Sequence, residues 1–504
     1  MYYRIHEAVT VQRRILERTS DLGHGGTDAA QGLQRVALHS EPCDKSAVAI
    51  MASAASVRDA WGERLPRRIG VRAATAFLVT STIGAGIFQV PSTVAREVEQ
   101  PGPALLLWVV GAVITYCGAL SLAELSAALP RSGGLFAIIF EAYGRMPAFV
   151  YAWSELVVIG PASTSAVASI FAKYLNYFVP LSEWQMRLVA AGALLASGIL
   201  NYVGIRPAAV VNNLTSAAKF GGLFVLCLLA FTAGSGSTAH FAPAFTGPVS
   251  ASVLLTALVA VMFSYDGWAD VIRIAGEIEN PGRNLPRALL LGTVLITAIY
   301  LTANLAYLYL VPLSEMAGSE LIAATAAVRI AILGSRGAPV IAALVMISCL
   351  GNVAAGVTSY PRTQFAIADR GEFFRLLACV SPRFQTPSVA IAIFTLVSVL
   401  YVLSGTFQVL AERFILGLWP FYVLLVTAVF LLRRNRPTLP RPYLVWGYPA
   451  VPILFLLASA ALILNALWTE PVNTGITFAI VLAGAPAYSL WRALAVRRAP
   501  KHYA

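Results

Sequence analysis

The sequence predicts an all-α polytopic membrane protein of twelve transmembrane helices, two of them interrupted halfway through. Three observations predict it: a composition too apolar for a water-soluble surface, an arginine in every second loop, and glycine-bearing breaks in the first and sixth apolar runs. Of 504 residues, 58% are hydrophobic and 12% are charged, about half the charged fraction of soluble domains; mean hydropathy is +0.73. So little charge excludes a disordered chain and a nucleic-acid binder. A spanning helix needs about 20 apolar residues plus a short loop, so the length accommodates about a dozen.

Residues 1–70 differ from the rest. They hold 10 of the 36 Lys+Arg, 8 of the 24 Asp+Glu and three of the five histidines, and no spanning run. No apolar stretch follows a basic start, so a signal peptide is not expected. We read a mostly disordered cytoplasmic tail, with Val9–Ile15 as a short helix; a start at Met51 is the alternative. Residues 71–495 form the main domain and 496–504 a cytoplasmic C-terminal tail.

Spans are expected at 71–95, 103–128, 148–175, 186–203, 210–233, 250–276, 286–312, 338–368, 387–405, 414–432, 444–468 and 471–491. Lys and Arg collect in cytoplasmic loops. Arg64, Arg67, Arg68 and Arg72 precede the first span. Arg131 and Arg145 follow the second, Arg206 the fourth, Arg283 and Arg287 the sixth. Arg370, Arg375 and Arg383 follow the eighth, Arg433, Arg434, Arg436 and Arg441 the tenth, and Arg492, Arg497, Arg498 and Lys501 the twelfth. The intervening loop 234–249 has no Lys or Arg, 469–471 has only Glu470, and 313–337 balances Arg329 and Arg336 with Glu315 and Glu320. Both termini are therefore expected on the cytoplasmic side of the inner membrane.

The first span contains Ser81-Thr82-Ile83-Gly84-Ala85-Gly86-Ile87-Phe88 and the sixth Phe263-Ser264-Tyr265-Asp266-Gly267-Trp268. Glycine costs a helix about 1 kcal/mol relative to alanine, and backbone freed at membrane depth is tolerated only against protein or a cavity. Gly84 and Gly86 alone would serve helix packing equally well. Two breaks five spans apart, and so of opposite direction, instead mark a midplane binding site between inverted repeats. Half-helix N-termini offer N–H groups to a carboxylate, and unwound carbonyls suit an ammonium group. Together they complement a free α-amino acid and call for no cofactor and no metal.

These residues resemble a known family. Gly84-Ala85-Gly86-Ile87-Phe88 with Pro91 is similar to the first-span motif of the amino acid–polyamine–organocation superfamily. Tyr265-Asp266-Gly267-Trp268 through Gly276-Glu277-Ile278-Glu279-Asn280-Pro281-Gly282-Arg283-Asn284-Leu285-Pro286-Arg287 resembles its L-type amino acid transporter branch, including bacterial serine/threonine-exchanger-like members. Further matches are Glu124 with Pro130-Arg131-Ser132-Gly133-Gly134, Glu141-Ala142-Tyr143-Gly144, Trp153 with Pro161, Ser359 with Arg362 and Ala368-Asp369-Arg370-Gly371, and Arg441-Pro442-Tyr443 with Tyr448-Pro449. The resemblance covers about 70–495. It implies a LeuT-like 5+5 inverted repeat, with repeat one about 71–233, repeat two about 250–432 and extra helices about 444–491. It implies a secondary active transporter moving amino acids by alternating access. Backbone N–H groups near Ala85 and Gly86 would hold the substrate carboxylate, carbonyls near Ile83, Phe263 and Asp266 the amino group, and Phe263 would close over the substrate from outside. With Gly84, Tyr265 and Gly267 these are the expected substrate-binding residues.

Lys219 stands mid-span in an apolar helix, where a charge is costly and usually functional. About ten residues, roughly 15 Å, separate it from the Arg206 turn, too far for easy snorkelling to the interface. In the family a lysine here substitutes for a bound sodium ion against the unwound first span, which favours sodium-independent exchange or proton-linked uptake. Arg273, with Asp270 one turn earlier, is expected to form an i,i+3 pair or to join Glu277 and Phe263 in a gate; Glu279, Arg131 and Arg362 are further gate candidates. Asp266 is expected to act through its carbonyl more than its side chain. Ala85 replaces a serine common in relatives.

The five cysteines (Cys43, Cys117, Cys227, Cys349, Cys379) read as small buried hydrophobes without metal or redox chemistry. The loop Tyr177–Gln185 lacks the cysteine by which animal light-chain relatives join a heavy subunit. Expected partners are an amino acid substrate and membrane lipid, with no nucleic acid and no disulfide-linked heavy subunit; a homodimer is left open. The core's only histidine is His240, without an HExxH pair or paired intramembrane carboxylates, so no enzyme is expected. No repeated polar ring suggests a channel. A sodium-coupled symporter and a non-transporting amino acid sensor on the same scaffold are the alternatives.

Overall fold

The computed structural model describes residues 67–130 and 134–497, with backbone alone for 205–214, 216–218 and 494–497. The expectations for residues 1–66, for Arg131 and for 498–504 lie outside the described residues. Helices follow in order: α1 (Val71–Thr82), α2 (Val90–Val98), α3 (Pro101–Ala128), α4 (Gly134–Tyr143), α5 (Arg145–Asn176), α6 (Glu183–Val203), α7 (Ile205–Ala233), α8 (Ala251–Tyr265), α9 (Pro281–Leu310), α10 (Leu313–Gly318), α11 (Ile322–Val328), α12 (Gly337–Asp369), α13 (Ser388–Ser404), α14 (Phe407–Asn435), α15 (Ala450–Thr469), α16 (Pro471–Leu482) and α17 (Gly484–Arg497).

Among the described residues, nine helices are long and apolar enough to cross a membrane. Of the other three expected spans, the first is broken into α1 and α2, the fifth is the 29-residue helix α7, whose side chains are described only in part, and α13 has 17 residues. Helix α4, between the second and third spans, was not foreseen as a separate element. Proline opens α3, α9 and α16, where its missing N–H would be unpaired anyway. A capping box of Ser182 and Gln185 opens α6, each side chain serving the other's backbone N–H. In α5 the Gly160 N–H bonds five residues back to Glu155, making one π-turn over Glu155–Ile159. Pro161 next to it brings no N–H and crowds the preceding carbonyls, a recognised cause of such bulges.

Two groups of helices pack most closely within themselves. One joins α1, α3, α8 and α9; the other joins α5, α6, α12 and α13. Helix α7 lies mainly against α12, and α14 against α5 and α8. Helices α15 and α16 sit at the periphery, with Leu457, Leu464, Trp468 and Leu482 exposed. Apolar side chains also face outward on α7 (Phe224), α9 (Leu291, Val294) and α13 (Leu396, Leu400), a surface suited to hydrocarbon. Cys117, Cys227 and Cys349 are free and at least partly buried.

Candidate functional site

Both anticipated interruptions are present. Helix α1 ends at Thr82; Ile83 turns extended (φ −72°, ψ 95°), and a single 3₁₀ turn, Gly86–Phe88, precedes α2. Helix α8 ends at Tyr265; Asp266 is extended, Gly267 has φ +104°, and the chain continues as a 3₁₀ segment, Asp270–Glu277. Only glycine adopts that φ without strain.

The breaks lie against each other. A Cβ on Gly267 would sit 2.8 Å from the Ser81 carbonyl oxygen and 2.9 Å from Thr82 Cα, and one on Gly86 would sit 2.6 Å from Ser264 Oγ. Glycine at both positions is what permits this approach. The cavity expected between the breaks is therefore closed by direct contact, because Ser264 fills the space over Gly86. A void of about 10 Å³, room for about one water, lies instead beside Phe88, Lys219, Gly222 and Leu223.

Side chains from three helices satisfy carbonyls around the interruptions, and one from a fourth bonds the Asp266 carboxylate. Lys219 Nζ, on α7, donates to the Thr80 carbonyl at 3.2 Å and to Asn352 Oδ1, on α12, at 3.4 Å. Its residue is only 3% exposed. Tyr300, on α9, donates to the carbonyls of Thr82 at 3.1 Å and Ser264 at 2.6 Å. Tyr174, on α5, donates to the Phe88 carbonyl at 3.1 Å. Tyr422, on α14, donates to Asp266 Oδ1 at 2.8 Å, so the Asp266 side chain already has a protein partner. Tyr265 donates outward from the break to the Trp108 carbonyl at 3.0 Å.

Other polar groups remain unpaired. The backbone N–H groups of Ala85 and Gly86 have no partner among the described residues. Buried and without a hydrogen bond are also Thr82 Oγ1, Ser264 Oγ and Asn352 Nδ2, the last 3.5 Å from where a Cβ on Gly84 would sit. A buried polar atom left unpaired costs about 1–3 kcal/mol. Several such atoms gather around the two interruptions. Phe263, 8% exposed, packs edge-on against Phe407 and Phe414 and forms the apolar wall of this region.

Arg273 makes the expected i,i+3 pair, Nε to Asp270 Oδ1 at 3.0 Å, and also bonds Glu155 Oε1 on α5 at 2.6 Å. Glu277 enters through its carbonyl, which accepts from the N–H groups of Arg68 and Ile69 at 2.9 and 3.0 Å; its side chain has no ion-pair partner among the described residues. Residues 68 and 69 are thus bonded to the end of the second broken segment. Arg362 bonds Asn201 and the Thr358 carbonyl.

Sequence reasoning missed Ser264, Tyr300, Asn352 and Glu155. Ser264 lay inside the motif; the others are single polar residues in apolar runs, whose partners are remote in the chain.

A family model described as amino acid permease matches residues 69–486. The serine/threonine exchanger SteT of Bacillus subtilis is 30% identical over 84% of this chain and 96% of its own length. The human b(0,+)-type amino acid transporter 1 is 29% identical over 81% of this chain and 84% of its own, and the human cystine/glutamate transporter 28% identical over 85% and 86%. The matched family and these relatives are transporters, not enzymes.

Proposed function

Because the chain belongs to the amino acid permease family, a multi-pass membrane family, we propose that it carries amino acids across the inner membrane by sodium-independent exchange or proton-linked uptake. The observation that carries this is the pair of interrupted helices meeting at Gly86–Ser264 and Gly267–Ser81, with the Ala85 and Gly86 N–H groups unpaired. These donors would take the α-carboxylate. The carbonyls of Ile83, Phe263 and Asp266 would take the ammonium, with Gly84, Tyr265 and Gly267 shaping the backbone. The site as described is closed, so substrate space opens when Ser264 and Gly86 separate.

Lys219 supports the sodium-independent reading. Its ammonium already supplies a fixed positive charge to the Thr80 carbonyl, the kind of oxygen a bound cation would need. The packing of α1, α3, α8 and α9 against one another, and of α5, α6, α12 and α13 against one another, favours twelve spans in a LeuT-like 5+5 inverted repeat. The members of each group are the first, second, sixth and seventh, and the third, fourth, eighth and ninth, as five-span repetition requires. The charge alternation favours cytoplasmic termini.

The test is counterflow in proteoliposomes loaded with single amino acids, with and without sodium and a pH gradient. Accumulation that needs internal amino acid and ignores sodium supports exchange; accumulation driven by an inward proton gradient supports proton linkage. Strict sodium dependence, or binding without passage, would overturn the proposal in favour of a symporter or a sensor.

A further inference from the structure

The third span carries an acid to which the proposed function assigns no role. Glu155 is fully buried and begins the π-turn of α5. Its Oε1 accepts from Arg273 Nη2 at 2.6 Å and from the Tyr151 hydroxyl at 3.1 Å, and its Oε2 accepts from Gln364 Nε2 at 3.1 Å. Arg273 uses its remaining nitrogens on Asp270, at 3.0 Å, and on Thr363 Oγ1, at 3.1 Å. The Glu155 carboxylate and the Arg273 guanidinium are both engaged, and Asp270 is the waterward member, its side chain 38% exposed.

The placement of these residues is what matters. Arg273 and Asp270 lie on the 3₁₀ segment that begins three residues beyond the Gly267 pivot and packs against α1 and α9 of the first group and against α4. Glu155, Thr363 and Gln364 lie on α5 and α12, in the other helix group. Helix α5 starts at Arg145, α12 ends before Arg370, and the 3₁₀ segment leads to Arg283, so all three meet on the Arg-rich side. One buried ion pair thus clamps together the two groups that alternating access must separate. The π-turn serves it by rotating Glu155 relative to the rest of α5.

We infer that Glu155 is a positioning residue for transport: through Arg273 it forms the cytoplasmic lock, joined while that side is closed and parted when it opens. This rests on the reading of the chain as an amino acid transporter. An opened pair leaves each charge without its partner in a poorly hydrated cleft, so the lock biases the resting protein against the inward-open state. Substrate drawn between the breaks would move the Gly267 turn, and with it Arg273, away from α5.

Ala275 gives a readout, being fully buried on the same 3₁₀ segment. Ala275→Cys is labelled with a membrane-impermeant maleimide in inside-out vesicles, each rate being corrected for the parent chain with its five native cysteines. Glu155→Gln and Arg273→Gln should each raise the rate by about tenfold or more, and the double variant should be no faster than either. Asp270→Asn, on the exposed flank, should raise it by about two- to fivefold and decides the matter if the buried variants do not reach the membrane. Rates within about twofold of the parent in every recovered variant, or effects that multiply in the double variant, overturn the lock. If labelling responds but no amino acid is carried in counterflow, the lock stands and the transport reading fails; if counterflow proceeds and labelling is flat, the reverse holds.

Discussion

Lys219→Met is the most informative single substitution. It keeps the length and apolar stem of the side chain and removes the ammonium that bonds Thr80 and Asn352. A hydrogen bond to a charged group contributes about 1.5–3 kcal/mol. The 3.4 Å contact lies beyond the usual N–H···O range, so the pair together is worth about 3 kcal/mol toward holding the end of α1 against α12. Lost only from the state that binds substrate, that figure corresponds to about a hundredfold in transport rate. Global stability should move differently, because deleting a buried charge relieves its desolvation and offsets the lost bonds. Initial rates in proteoliposomes, measured beside the thermal unfolding midpoint of the detergent-solubilised protein, separate the two. The expected result is transport reduced by about one to two orders of magnitude with the midpoint nearly unchanged. Transport within about threefold of the parent, at equal reconstitution, would refute the reasoning that Lys219 organises the first break.

Gly86→Ala should abolish transport through its clash with Ser264, and Gly86→Ala combined with Ser264→Gly should recover part of it; no recovery would mean that the contact between the breaks is incidental. Gly267→Ala should be inactive, since its left-handed φ costs a Cβ-bearing residue about 1–3 kcal/mol and the new methyl meets the Ser81 carbonyl; wild-type rates would contradict the pivot. Tyr300→Phe strands the Thr82 and Ser264 carbonyls at a cost of about 1–3 kcal/mol, and should lower both the thermal midpoint and the transport rate, which a midpoint equal to the parent's would exclude. Replacing sodium by choline on both sides of the membrane should leave the rate unchanged; a drop of about tenfold would show that Lys219 does not stand in for a cation.

The features legible in the sequence were those with a local signature. Gly84-Ala85-Gly86 and Asp266-Gly267 announced the breaks because two glycine-bearing interruptions recur five spans apart, and Lys219 announced itself because a mid-span charge is costly. The features that were not legible depend on contacts made over long separations. Glu155 sits in Trp153-Ser154-Glu155-Leu156-Val157, and its partner Arg273 is 118 residues away. Glu124, quoted for its motif, proves to anchor Arg433, 309 residues on, at 2.5 Å and the Val445 N–H at 2.8 Å. Nothing local in Tyr300 or Asn352 marks either as the partner of a break. Hydropathy also counts poorly where a span is interrupted, which is why α1 and α2 escape a length criterion that α3 meets easily. The close contact of Ser264 on Gly86 could not be foreseen, since it depends on how the two interrupted helices, remote in the chain, approach each other within one helix group.

Whether the two interruptions hold both ends of an amino acid can be measured by competition. A transported amino acid, its methyl ester and its N-acetyl derivative are each tested for inhibition of its own counterflow in proteoliposomes. The free amino acid should inhibit, and neither derivative should, because the ester removes the charge that the Ala85 and Gly86 amides receive and acetylation removes the ammonium that the carbonyls receive. Equal inhibition by all three would contradict a site built from the two broken helices.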